Sequence, residues 1–140
     1  DGQFNYLVQQ LNSADAQQAA FRIVSFHQAP FSNSSQSPNP QQATGNLNAR
    51  DHWVPIFEQY SVDMVISGHY HSYQRGEFND IVYVIVGGGG SALLIQEENT
   101  WDWLDLQRSF QYSMMYREDN QLRWETYDLN DQLIDSFVVP

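Results

Sequence analysis

Cysteine is missing from this sequence altogether, and so is lysine. Without cysteine there are no disulfides, no thiolate metal sites and no sulfur nucleophile. Any metal must therefore be taken by imidazole, carboxylate, amide or water. The basic side chains are six arginines against seventeen acidic residues, and the net charge is −11. That balance argues against nucleic acid and against an anionic membrane as partners, since both need a basic surface. A phosphate-loop NTPase is excluded along with the lysine of its Gly-Lys-Ser/Thr. Gly-x-Ser-x-Gly, the nucleophile elbow of many serine hydrolases, is also absent. No apolar run approaches the roughly 18–20 residues of a membrane span. The sequence opens on Asp1, so it reads as a processed product or a piece of something longer. A missing targeting segment is then uninformative, and the compartment stays unread.

What is present suffices for one packed domain: 140 residues, 41% hydrophobic and 14% aromatic. Phe4, Leu7, Val8 and Leu11 mark one stripe of an amphipathic helix, which the Asn12-Ser13 pair ends, and Ala14–Ala20 extends it after the break. Phe21–Phe26 is a short strand that runs into His27. Phe31–Arg50 reads as a long loop of Ser, Asn, Gln and Pro, either a rim over a site or a plain insert. It contains Asn33-Ser34-Ser35, a glycosylation sequon. Trp53, Ile56, Phe57 and Tyr60 place a second helix over 51–60, with Pro55 confined to its first turn. Val62–Ser67 is a strand. Ile81–Val86 is an uninterrupted apolar run, as in a strand buried on both faces. Phe110–Tyr116, Leu122–Tyr127 and Leu133–Val138 form an antiparallel meander with turns at Asp119-Asn120 and Asn130-Asp131.

The chemistry collects at Val62–Arg75, VDMVISGHYHSYQR. Residues i and i+2 of an extended backbone share a side, so His69 and His71 both face one cavity as the chain turns at Gly68. Strand 21–26, helix 51–60 and strand 62–67 form a βαβ unit, which makes the two strands parallel. Both then end at the same edge of the sheet, where ligand sites in α/β folds lie. His27, 42 positions before His69, is thereby expected in the same crevice, while His52 sits at the other end and reads as surface. The fold class that follows is α/β (α+β), a mostly parallel sheet with flanking helices and a C-terminal antiparallel meander. The whole of 1–140 reads as a single domain, with an α/β part over 1–95 and antiparallel strands over 110–139.

HQAP after a strand, the helix RDHWVPIFEQY, then VDMVISGHYHSYQR and IVYVIVGGGGS resemble the C-terminal half of a calcineurin-like metallophosphoesterase, of the purple-acid-phosphatase-like branch. The likeness runs from Asp1 to about Ser91 and more loosely through the meander. It implies half of a four-layer αββα sandwich and hydrolysis of a phosphate ester with two metal ions drawn from Fe, Zn or Mn. By position, the Gly-His-x-His motif makes His69 a ligand of one metal together with His27, and His71 a ligand of the other. Tyr73 and Arg75 are candidates for touching substrate, Arg75 through a phosphate oxygen; for Arg75 the ordinary alternative is a salt bridge, and for Tyr73 packing.

The family's remaining ligands come from an Asp-x-His, a Gly-Asp and a Gly-Asn-His, none of which occurs in this sequence. The chain is thus expected to be inactive alone, with no complete catalytic set, and to self-associate or meet a complementing N-terminal half. A lean to a secreted or periplasmic setting comes from the likeness alone. The alternatives are an inert binding module, a mononuclear three-histidine metal site, a cupin-like barrel using His69, His71 and Glu77, and a dinucleotide fingerprint at Gly87–Ala92. The last lacks the helix and second strand that it requires.

Overall fold

A computed structural model describes residues 2–35, 44–94 and 96–139. Helices α1 (Gly2–Leu11) and α2 (Ala14–Gln18) open the chain. Ser13 caps the second helix, its hydroxyl accepting from the Ala16 N–H at 3.2 Å. Strand β1 (Ile23–Gln28) follows, then the two-residue β2 (Ser34–Ser35). A π-helical turn, Ala49–Trp53, leads into α3 (Val54–Gln59). Pro55 explains the widened turn: it has no N–H to give and its ring crowds the carbonyl four residues back. Strands β3 (Met64–Gly68), β4 (Tyr73–Phe78) and β5 (Ile81–Val86) come next. After them come β6 (Gln96–Glu97), β7 (Leu104–Gln107), β8 (Gln111–Glu118), β9 (Gln121–Asp128) and β10 (Leu133–Val139).

The main sheet has the order β1-β3-β5-β4-β7. Strand β3 pairs in parallel with both β1 and β5, while β4 pairs antiparallel with β5 and β7. A second sheet, β10-β9-β8, is the expected meander. Strand β4 has no counterpart among the sequence-based expectations. Its signal was Asn79-Asp80, which join β4 to β5 as a two-residue turn with φ of 51° and 61°, the left-handed conformation tight hairpins require.

Alternation along the central strands sorts their side chains into two cores. Val65, Ile81 and Tyr83 pack with Leu11, Val54 and Phe57 of the helices. Met64, Tyr73 and Val84 face the opposite way, against Leu122, Trp124 and Val139 of the meander. Helices, main sheet and meander are therefore three stacked layers, and the run IVYVIV is apolar throughout because both of its faces are covered.

The first part of the supposed loop belongs to the core. Phe31 is 4% exposed and meets Phe78, Tyr83, Trp101 and Trp103 edge-on or tilted, with centroids 5.1–5.5 Å away. Gln74, fully buried, accepts from the Asn33 N–H at 2.7 Å and donates to the hydroxyls of Ser32, Ser34 and Ser72. The sequon is corrected as well. The Asn33 amide donates to the carbonyls of Trp101 and Leu104, both at 2.6 Å, and accepts from the Trp101 N–H. Buried in this way, it is closed to a glycan in the folded chain. Of the rest of that segment, for which a rim and a plain insert are the two expectations, 36–43 lies outside the described residues.

Asp135 ties the meander to the main sheet. One of its oxygens accepts from the Tyr73 hydroxyl and from Arg75 Nε, both at 2.6 Å. The Arg75 guanidinium also lies 4.9 Å from the centre of the Phe137 ring. Burial pushes the Asp135 carboxyl up, but the donors from Arg75 and Tyr73 outweigh it and hold it below the ordinary value. A carboxyl with a depressed native pKa stabilises the fold above its unfolded value of about 3.9, and that contribution disappears as pH falls through the native value. Asp135→Asn should therefore lower the unfolding free energy by about 2 kcal/mol at pH 7 and by much less near pH 3. Urea unfolding at the two pH values measures this, and an equal loss at both would contradict the assignment.

Candidate metal centre

The parallel pairing of β1 and β3 sets Phe26 opposite Ser67 and Gln28 opposite Gly68. One residue, His27, lies between the partners on β1 and none between those on β3, so His27 is the extra residue of a bulge. Bulges commonly re-aim a side chain beside a functional site. Here His27 Nε2 comes to 3.2 Å from His69 Nδ1, with the two rings nearly perpendicular at 83°.

His69 holds a backbone conformation that non-glycine residues seldom take, with φ of 66°. From the sequence the sharp turn is expected at Gly68. In the structure the left-handed residue is the histidine itself, while a Cβ on Gly68 would make only ordinary contact with His27. Such a conformation costs on the order of 1–3 kcal/mol and persists where its surroundings enforce it. Two successive tight turns do so, with Tyr70 N donating to Gly68 O and Ser72 N to Tyr70 O, both at 2.8 Å. The glycine run presses against them. A Cβ on Gly87 would collide with the Tyr70 carbonyl, and one on Gly88 with Gln111 and the Ser109 carbonyl. This close approach, not dinucleotide binding, accounts for both glycines.

His71 sits differently. Its Nδ1 lies 2.7 Å from the Ala92 carbonyl oxygen. A carbonyl oxygen only accepts, so Nδ1 carries the proton and Nε2 keeps the lone pair. Metal-binding histidines are oriented by this kind of backbone contact. At His69, burial pushes the pKa down, and the neighbouring His27 and His71 add to the effect. The neutral form, the one able to coordinate, is favoured. Two nitrogens bound to one ion at 2.0–2.1 Å stand roughly 2.9–3.4 Å apart, and the His27–His69 separation falls in that range.

The arrangement thus fits part of a metal centre. Among the described residues, no group of three or more His, Asp or Glu side chains is placed to hold one ion. The three-imidazole mononuclear alternative is corrected on that ground: His27 and His69 form a pair, and His71 is oriented separately by Ala92. His52 is exposed on the π-helical turn, as expected. Glu77 is exposed on β4, which removes the cupin-like set. Tyr73 and Arg75 share one face of β4 by alternation, the face that meets the meander. Their polar groups are engaged by Asp135, an environment that the sequence does not reveal because 60 positions or more separate the partners. Ala92 escaped the sequence reading entirely, since a backbone carbonyl has no residue-type signature.

A mostly parallel α/β sheet with flanking helices, backed by a three-stranded antiparallel meander, is a fold shared with part of a purple acid phosphatase. The particular likenesses are these. A purple acid phosphatase from yellow lupin (Lupinus luteus) seeds superposes with a TM-score of 0.85 at 22% identity, over 99% of this chain and 28% of that one. GAP50, the anchor in the inner membrane complex of Plasmodium, superposes with a TM-score of 0.82 at 18% identity, over 97% of this chain and 41% of that one. Among curated sequences, the phosphoenolpyruvate phosphatase of Allium cepa is 33% identical over 87 residues, which is 61% of this chain and 17% of the enzyme. An uncharacterized protein of Mycobacterium tuberculosis is 36% identical over 53 residues, 38% of this chain and 9% of that protein. The chain therefore spans less than half the length of these proteins. No family model matches it.

Replacing His69 by glycine should separate strain from coordination. His69→Gly is expected to leave stability unchanged or raise it by up to about 1 kcal/mol in urea unfolding. It should weaken Zn²⁺ binding at least tenfold by calorimetry, whereas His52→Ala leaves Zn²⁺ binding at the wild-type value. Loss of stability in His69→Gly, or equal Zn²⁺ binding in both variants, would contradict the reading.

Proposed function

We propose that this chain is the imidazole-donating portion of a metal-dependent phosphoric ester hydrolase, acting on a phosphomonoester or phosphodiester. The observation that carries the proposal is the 3.2 Å approach of His27 Nε2 to His69 Nδ1, with the free Nε2 of His71 on the adjoining loop. His27 and His69 would hold one ion and His71 a second, of Fe, Zn or Mn type. When bound, such ions supply Lewis acidity and activation of a water for attack on phosphorus. Carboxylate and amide ligands beyond this chain would complete the set, supplied by sequence upstream of Asp1 or by a separate chain. In this reading 1–140 is one continuous part of a metallophosphoesterase domain.

The chain's own residues supply orientation. The β1 bulge aims His27, the left-handed backbone aims His69, and Ala92 fixes the tautomer of His71. Charge supports the need for metal. With a net charge of −11, a phosphate ester is repelled unless cations are held locally. The arginines near the site are engaged elsewhere: Arg75 pairs with Asp135, and Arg50 donates to the Pro30 and Thr44 carbonyls while lying 4.8 Å from the centre of the Trp101 ring.

A second reading is a catalytically inert interaction module. It is favoured by the lack of any three-ligand group among the described residues, and by the likeness to a protein described as an anchor. Turnover decides between the two. Given Zn²⁺ or Mn²⁺, the 140-residue chain should hydrolyse p-nitrophenyl phosphate no faster than the metal alone. A form extended upstream with carboxylate ligands should hydrolyse it, and should lose at least about 100-fold in kcat with His71→Ala. An inactive extended form carrying its metals would establish the inert module. Robust turnover by the short chain would overturn the claim that its ligand set is incomplete.

A further inference from the structure

We infer that Gln111, at the start of the meander, is a positioning residue for the His71 imidazole. The inference rests on the reading of His27, His69 and His71 as metal ligands. Gln111 is 6% exposed. Its backbone N–H donates to the Gly88 carbonyl and its Nε2 to the Ser72 carbonyl, both at 3.2 Å. A carbonyl only accepts, so the amide orientation is set: nitrogen towards Ser72 and Oε1 towards Gly88, where it has no hydrogen-bond partner. One residue thereby grips the two segments that define His71. Ser72 follows His71 directly, and its carbonyl also accepts from the Gly87 N–H at 3.0 Å. Gly88 begins the stretch that leads to Ala92, whose carbonyl holds His71 Nδ1. That stretch is tied back at its far end, where the Leu94 N–H donates to the His71 carbonyl at 2.8 Å.

The buried, unpartnered Oε1 supports this assignment. Leaving a polar atom without a partner in the interior costs free energy, and an apolar side chain of the same length would avoid the cost. What the amide adds is the donor to Ser72. Without that donor the Ser72 carbonyl keeps only the Gly87 N–H, and the segment that carries the imidazole one residue earlier is held less firmly. The meander is then part of the site's support as well as a covering layer.

The test uses the metal-free chain labelled with ¹⁵N-histidine, at a pH where imidazole is neutral. Wild-type His71 should show a single tautomer with the proton on Nδ1. In Gln111→Met, which keeps length and burial but has no donor, the His71 nitrogen shifts should move towards a mixture of both tautomers. Zn²⁺ affinity should fall by roughly 10–100-fold, the usual effect of losing a group that orients a ligand. Gln111→Glu, equal in shape and unable to donate to Ser72 when ionised, gives the same reading if Gln111→Met fails to fold and the measurement is made above the carboxyl's pKa. Ser113→Ala serves as the control, because it removes the 2.9 Å Ser113–Thr126 hydroxyl bond of the meander without touching the loop. Its His71 signals and Zn²⁺ affinity should match wild type. An unchanged His71 tautomer in the folded Gln111 variants, or an equal change in Ser113→Ala, overturns the inference. Failure of the wild-type chain to bind Zn²⁺ would instead remove the metal reading, and the tautomer comparison would still decide the role of Gln111.

Discussion

The parallel pairing of β1 with β3 is the constraint on which the candidate centre depends. Four residue pairs run in register from Ile23–Met64 to Phe26–Ser67, and the bulge at His27 then resets the pairing to Gln28–Gly68. Without the pairing, two histidines 42 positions apart have no reason to meet. Without the bulge, alternation alone would direct His27. Sheet geometry thus supplies the approach, and one irregularity supplies the aim. The strained φ at His69 belongs to the same design, since local strain is tolerated where a rigid frame over-determines it.

That frame has two differently built supports. On one side, Phe31 and the buried Gln74 network anchor the segment after β1 into the core, so the strand end carrying His27 is held from both directions. On the other, the meander closes over the second face of the sheet through Leu122, Trp124 and Val139, and fastens to it by Asp135. The polar contacts at this seam join residues far apart in sequence.

Much of this was legible in the residues. Periodicity located the first helix and the helix before β3, alanine- and glutamine-rich composition pointed to the second, and the apolar run Ile81–Val86 announced a strand covered on both faces. Turn residues marked the meander: Asp119 and Asp131 do take positive φ. The βαβ order by itself places His27 beside His69. What stayed hidden is what local pattern cannot encode. Strand β4 is broken in pattern by Gln74 and Arg75, whose roles come from partners 40 to 60 positions away, and by Gly76, against which Trp103 packs. The stretch Phe31–Ser35 reads as a polar loop because its serines and asparagine are satisfied inside the protein, where composition suggests solvent. The orientation of His71 depends on a main-chain carbonyl, and the commitment of Arg75 and Tyr73 to the meander depends on the meander being there.

The central claim is that the lone pairs of His27 Nε2 and His69 Nδ1 converge on a single cation. Crystals of the chain grown with Zn²⁺, with anomalous scattering recorded on either side of the zinc edge, test it directly. The account predicts one peak at about 2.0–2.1 Å from both nitrogens. Zinc bound elsewhere with these two imidazoles joined by a shared proton, or the two rings turned apart, would contradict it.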